Sequence, residues 1–183
     1  MDYIQKDRSL LEYGAGEIKD YLLSDQLFWP LNSGERLTVG TLLLALLRSQ
    51  CLAQTPAEIQ KIDDINQQIS ILRGKWRTNW SNKAALEFHS RLRQWELALR
   101  EMLSREQRNT VVYTHEVTLR VILSLLQSEI LQTDLAAYDR LLILDKQLHA
   151  ASHKSEFIWD PILKDQFPKE HYWFLYCSPT PGE

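Results

Sequence analysis

Little in this 183-residue chain crosslinks or turns sharply: it holds two cysteines, six glycines and six prolines. So few turn residues leave little room for a turn-rich β architecture, whose short strands need Gly, Pro or Asn punctuation roughly every 8–12 positions. Cys51 and Cys177 stand far apart with no CxxC or Cys/His spacing, so neither a disulfide framework nor a cysteine-built zinc site is indicated. Long apolar runs are missing too. The longest, Leu42 to Leu47, falls far short of the roughly 20 residues that span a bilayer. Met1 to Gln5 lack the basic start and apolar run of a signal peptide. A net charge of −3 implies no partner by itself. Together these absences lead us to expect a soluble, cytoplasmic protein with no membrane partner.

Catalytic signatures are absent as well. There is no GxSxG elbow, no GxxxxGK[ST] loop, and no GxGxxG following a strand. Gly14-Ala15-Gly16 precedes a helical segment but has neither a strand before it nor a third glycine. No specific activity is assignable from such motifs.

What the chain does have is helical periodicity. Ile62, Ile65, Ile69, Leu72 and Trp76 recur at spacings of three and four, and so do Ala85, Phe88, Leu92, Trp95, Leu99 and Met102. On one straight helix the two stripes would lie roughly 140° apart, so we expect two helices folded against each other. The first starts at Pro56, after a Thr55 cap with Glu58 three residues on. Gly74 and Asn79 to Asn82 supply the break, and Ser81 caps the second helix, which runs to about Arg105.

Further helices are expected at Gly16 to Ser24 and at Leu37 to Leu52, the latter apolar nearly all round and so central. Two more follow the repeats Val112, His115, Leu119, Ile122, Leu126 and Leu135, Tyr138, Leu141, Leu144, Leu148, the last starting near Thr133-Asp134. The fold class is therefore all-α. We expect a bundle of five or six helices in a single domain over residues 1–183, with an aromatic strap over 156–183 packed across one side.

Three constellations bear on function. Asp145, His149 and His153 are spaced by four, which on one helix face is the geometry of an HxxxH metal pair, and His115 on the preceding helix offers a third nitrogen. Such a set would hold a divalent metal and activate water, the basis of a metal-dependent bundle enzyme. The segment 73–108 carries nine Lys/Arg against four Glu, interleaved with Trp76, Trp80 and Trp95, a pattern that can bind nucleic acid. Glu96-Arg100 and Glu101-Arg105 pairs make a solvated charged face the stronger reading of that segment. The C-terminal aromatics, including Trp159, Tyr172 and Trp173, mark a docking surface. We expect them to close the bundle near Phe28 and Trp29, or to line a surface for a protein partner or self-association. With nothing catalytic to displace it, an intracellular interaction or scaffold module leads.

Overall fold

The computed structural model describes residues 2–104, 110–132 and 134–180. Among them it contains six α-helices: α1 (Asp2–Leu23), α2 (Val39–Leu52), α3 (Pro56–Lys75), α4 (Arg77–Ser104), α5 (Thr110–Gln127) and α6 (Leu135–Ala150). Two small antiparallel ladders accompany them. β1 (Trp29–Pro30) pairs with β2 (Arg36–Leu37), and β3 (Ser152–Lys154) pairs with β4 (Cys177–Pro179). The chain is an all-α protein, and among the described residues no helix is long and apolar enough to cross a membrane. It divides into two compact units: Met1–Glu87 with Leu125–Leu131, and Phe88–Ser124 with Gln132–Glu183.

In the first unit, α1, α2 and α3 pack on one another. α1 is a 22-residue helix, far longer than the segment 16–24 that its glycines suggest. Gly14 sits inside it at a close packing contact: a Cβ there would meet Leu37 Cδ1 at 3.2 Å, so any larger residue would press on the Leu37 side chain of the β1–β2 hairpin. The apolar stretch 27–31 contributes the first strand of that hairpin. Gly34, at φ +87°, turns its corner, a backbone region that side-chain-bearing residues rarely enter. α2 begins at Val39, two residues after the expected start, because Thr38 and Thr41 form a capping box. The Thr55–Glu58 box opens α3 as anticipated.

Between α3 and α4 there is no hairpin. Trp76 alone interrupts the helix, with φ −114° and ψ 39°. The Trp76 N–H still bonds to the Leu72 carbonyl, and the Trp80 N–H to the Trp76 carbonyl. A single residue flanked by helical bonds bends the path and cannot reverse it. α3 accordingly lies against α1 and α2.

Asn79 to Asn82, expected as a break, are fully helical, and Ser81 is no cap. Asn79, Ser81 and Lys83 instead reach backbone groups at or just beyond the ends of other helices, while Asn82 is exposed. Asn79 Nδ2 donates to the Leu22 carbonyl at 3.3 Å, and Lys83 Nζ donates to the Gln26 carbonyl, both just at the end of α1. Ser81 Oγ accepts from the Leu131 N–H at 2.8 Å. The fully buried Glu87 carboxylate accepts from Thr38 Oγ1 at 2.6 Å and from the Gly40 N–H at 2.8 Å, at the start of α2. Negative charge at a helix start and positive charge at a helix end both complement the helix dipole. Glu129, also buried, collects Arg73 Nε at 2.8 Å, Arg77 Nη1 at 3.3 Å and the Trp80 indole at 2.8 Å.

The second unit is built on the second stripe. Phe88, Leu92, Trp95, Leu99 and Met102 are all buried, and the Phe88 ring stacks on Tyr138 of α6 at 5.2 Å. α6 is capped by Asp134, whose carboxylate accepts from the N–H groups of Ala136 and Ala137. Leu141, Leu144 and Leu148 of α6 join this core, whereas Ile69 of the first stripe is buried in the first unit. α5 and α6 are locked together by Arg120, which reaches Asp145 with two hydrogen bonds of 2.7 and 2.8 Å. The expected start of α6 at Thr133 lies outside the described residues.

Candidate binding cleft

α1, α3 and the last turn of α2 enclose a cleft of about 290 Å³. α1 lines it with Ile4, Arg8, Leu11 and Glu12, α3 with Glu58, Lys61, Ile62 and Ile65, and α2 with Ser49 and Leu52. The helical spacing of each set explains why one wall is one helix face. Its volume stands at the bottom of the roughly 300–1,000 Å³ range of small-molecule sites, which suits a few side chains better than a cofactor.

Three of the four charges lining this cleft, Glu12, Glu58 and Lys61, are already engaged. Lys61 pairs with Glu12 across the α1–α3 gap. The Glu58 carboxylate accepts from the N–H groups of Thr55 and Gln54 and from the Thr55 hydroxyl, and these bonds hold its carboxyl below the usual range. Arg8 acts on it in the same direction. Next to the lining residues Arg8 and Ser49 lies the buried pair Asp7–Arg48, at 3.7 Å. Burial pushes the Asp7 carboxyl up to about 6 against the opposing pull of Arg48. Burial also lowers Arg48, whose guanidinium lies 5.0 Å over the Tyr3 ring.

A wider depression of about 850 Å³ runs between α4 and α6 in the second unit. Charged side chains dominate it: Glu96 pairs with both Arg100 and Arg140, and Asp139 stands on its edge.

The expected metal constellation is not assembled. α6 ends at Ala150, with the Ala151 N–H closing on the carbonyls of Gln147 and Leu148, and His153 continues into β3 opposite Ser178. His149 and His153 therefore do not share a helix face. His149 packs against Trp173 with ring centroids 5.5 Å apart. Asp145 is taken by Arg120, and His115 is exposed beside Glu116. Among the described residues no group of three or more His, Cys, Asp or Glu could hold a metal ion.

The C-terminal aromatics pack within their own unit. Phe167 meets Trp159 at 5.3 Å and Tyr172 at 5.1 Å, both edge-on, and Trp173 meets Phe174 at 5.8 Å. Two hydrogen bonds join this strap to α5: the Trp159 indole donates to the Thr114 carbonyl, and the Tyr113 hydroxyl donates to the Phe174 carbonyl at 2.6 Å. Burial pushes the Tyr113 phenol far above its ordinary range. Residues 173–176 form a 3₁₀ turn before β4. The strap is thus a wall built on α5. Trp29 belongs to the first unit, where its indole donates to Glu17, and Phe28 is half-buried in the same unit.

In the basic segment the aromatics turn inward: Trp80 and Trp95 are fully buried and Trp76 is half-buried. Arg73 and Arg77 serve Glu129, Lys83 serves the end of α1, and Arg100 pairs with Glu96. Arg105 and Arg108 lie outside the described residues. Stacking platforms for bases are therefore not presented by these three tryptophans.

The cleft does not emerge from sequence reasoning because the first half of α1 is not expected as helix. Ile62 and Ile65 belong to the first stripe, and the spacing of Ile4, Arg8 and Leu11 is the signal that completes the opposite wall. Compared with known proteins, the chain matches no family model, no curated protein and no solved structure.

Proposed function

We propose that this chain is a helical interaction module that takes apolar side chains of a protein partner into the cleft of α1, α2 and α3. The observation that carries this reading is the pairing of an apolar lining with rim charges of which Lys61, Glu12 and Glu58 already have partners within the chain. Ile4, Leu52, Ile62 and Ile65, all half-exposed over the buried Leu11, offer surface whose removal from water is favourable, about 25 cal/mol per Å². The charges of Lys61, Glu12 and the capped Glu58 are met within the chain itself. A binder is therefore selected by shape and hydrophobicity, as in grooves that receive one face of an amphipathic helix. α3 supports this use: of its 20 residues Ile69 alone is buried, and Ile59 and Ile71 are exposed.

A phage-displayed library of random 16-residue peptides, panned against the full chain, tests the proposal. Enriched peptides should share two apolar anchors at helical spacing, without a fixed charge. Ile65→Glu should weaken their binding at least tenfold while the helical circular dichroism is retained. No enrichment, or equal binding by the Ile65→Glu protein, would refute the cleft as the site.

A further inference from the structure

The solvent side of α6 carries apolar residues that its own core does not use. Leu135, Leu142 and Ile143 are 73%, 56% and 55% exposed, whereas Ala137, Leu141, Leu144 and Leu148 on the other face are buried. At about 100° per residue, Leu135, Asp139, Leu142 and Lys146 form one stripe pointing directly away from that buried face. A helix apolar on both sides has a second surface to cover.

Its charges indicate what covers it. Asp139 and Lys146 are both exposed and have no ion-pair partner among the described residues. Seven residues apart, they are separated by roughly 10 Å along the axis and cannot meet within the helix. They sit symmetrically about the point between Leu142 and Ile143. We propose that α6 pairs antiparallel with α6 of a second copy of this chain, about a two-fold axis at that point. Each Asp139 then faces the other copy's Lys146, giving two ion pairs from one relationship, as an isologous contact requires. Leu142 packs on the other copy's Leu142 and Ile143, and Leu135 reaches the end of the partner helix at Ala150. A single helix pair falls short of the roughly 1,200–2,000 Å² of a stable interface, so the dimer is weak, with Kd on the order of 10–100 µM. This inference is independent of the cleft.

Sedimentation velocity on the full chain across a concentration series up to the millimolar range provides the test. A monomer–dimer equilibrium is expected, weakened as salt is raised. Leu142→Glu should abolish it. Asp139→Lys and Lys146→Asp should each weaken it at least tenfold, since each places like charges opposite one another twice, and the double variant should restore it to within about threefold. All these positions are exposed, and unchanged circular dichroism confirms that the variants fold. A monomer at every concentration, a dimer indifferent to Leu142→Glu, or a double variant no better than the singles would overturn the proposal. Ile65→Glu should leave dimerisation unchanged and Leu142→Glu should leave peptide binding unchanged, so the two surfaces succeed or fail separately.

Discussion

Each unit contains one buried arginine–aspartate pair joining neighbouring helices, and the two differ in geometry more than in burial. Arg48 and Asp7 link α2 to α1 with side chains 11% and 13% exposed, and Arg120 and Asp145 link α5 to α6 at 8% and 15%. Arg120 grips its carboxylate with two bonds, gives a third to Ser124 at 2.7 Å, and rests 4.5 Å over the Phe174 ring. Arg48 approaches Asp7 only to 3.7 Å, and burial raises the Asp7 carboxyl to about 6. Similar desolvation of the carboxylate is thus offset well at Asp145 and less well at Asp7. Buried charge stabilises only where hydrogen bonds replace the lost water.

Breaking the stronger pair should have the largest effect. Arg120→Ala should cost roughly 3–5 kcal/mol in urea unfolding, because Asp145 is left buried without its donors. Hydrogen exchange should accelerate in α5 and α6, and a cost no greater than that of Arg48→Ala would erase the contrast. The weaker pair should show itself through pH. A carboxyl raised from 3.8 to about 6 binds its proton more tightly when folded. Its contribution is fully present below pH 4 and is lost as pH rises through 6. Wild type should therefore gain up to about 3 kcal/mol over Asp7→Asn between pH 7 and pH 4, following urea midpoints. A flat difference would mean that Asp7 titrates normally.

Arg48→Ala should cost about 2 kcal/mol at pH 7 and less at pH 5, where Asp7 takes up a proton and relieves its own burial. A cost that grows on acidification would contradict the loose-pair account. The smallest effect belongs to the exposed pair at the cleft rim. Lys61→Ala should change thermal stability by no more than about 0.5 kcal/mol, so a larger loss would show that the rim charges hold α1 and α3 together.

The parts of the fold visible in the sequence are those set by local periodicity. Phe88 to Met102 announce a buried face by spacing alone, and Thr55–Glu58 and Asp134 announce helix starts by their capping chemistry. What stays hidden depends on distant partners. Gly14 looks like a helix breaker because Leu37, the side chain packed closely over it, lies in another element. Asn79, Ser81 and Lys83 look like a loop because their partners are the ends of other helices. His153 satisfies a helical spacing but is drawn into a ladder with Ser178, a pairing that no local pattern encodes. The cleft is half legible for the same reason: one wall follows a recognised stripe, and the other belongs to a helix that the glycines disguise.

The backbone-bound side chains on the first half of α4 restrict how this chain can vary in length. Asn79, Ser81, Lys83 and Glu87 each meet a fixed backbone group. One residue inserted ahead of them would rotate all four by about 100° at once and release the end of α1, the start of α2 and the turn at Leu131 together. The corner at Asn32 to Gly34, by contrast, can lengthen without disturbing any of these joints, so size changes in this protein are steered to its hairpin tip.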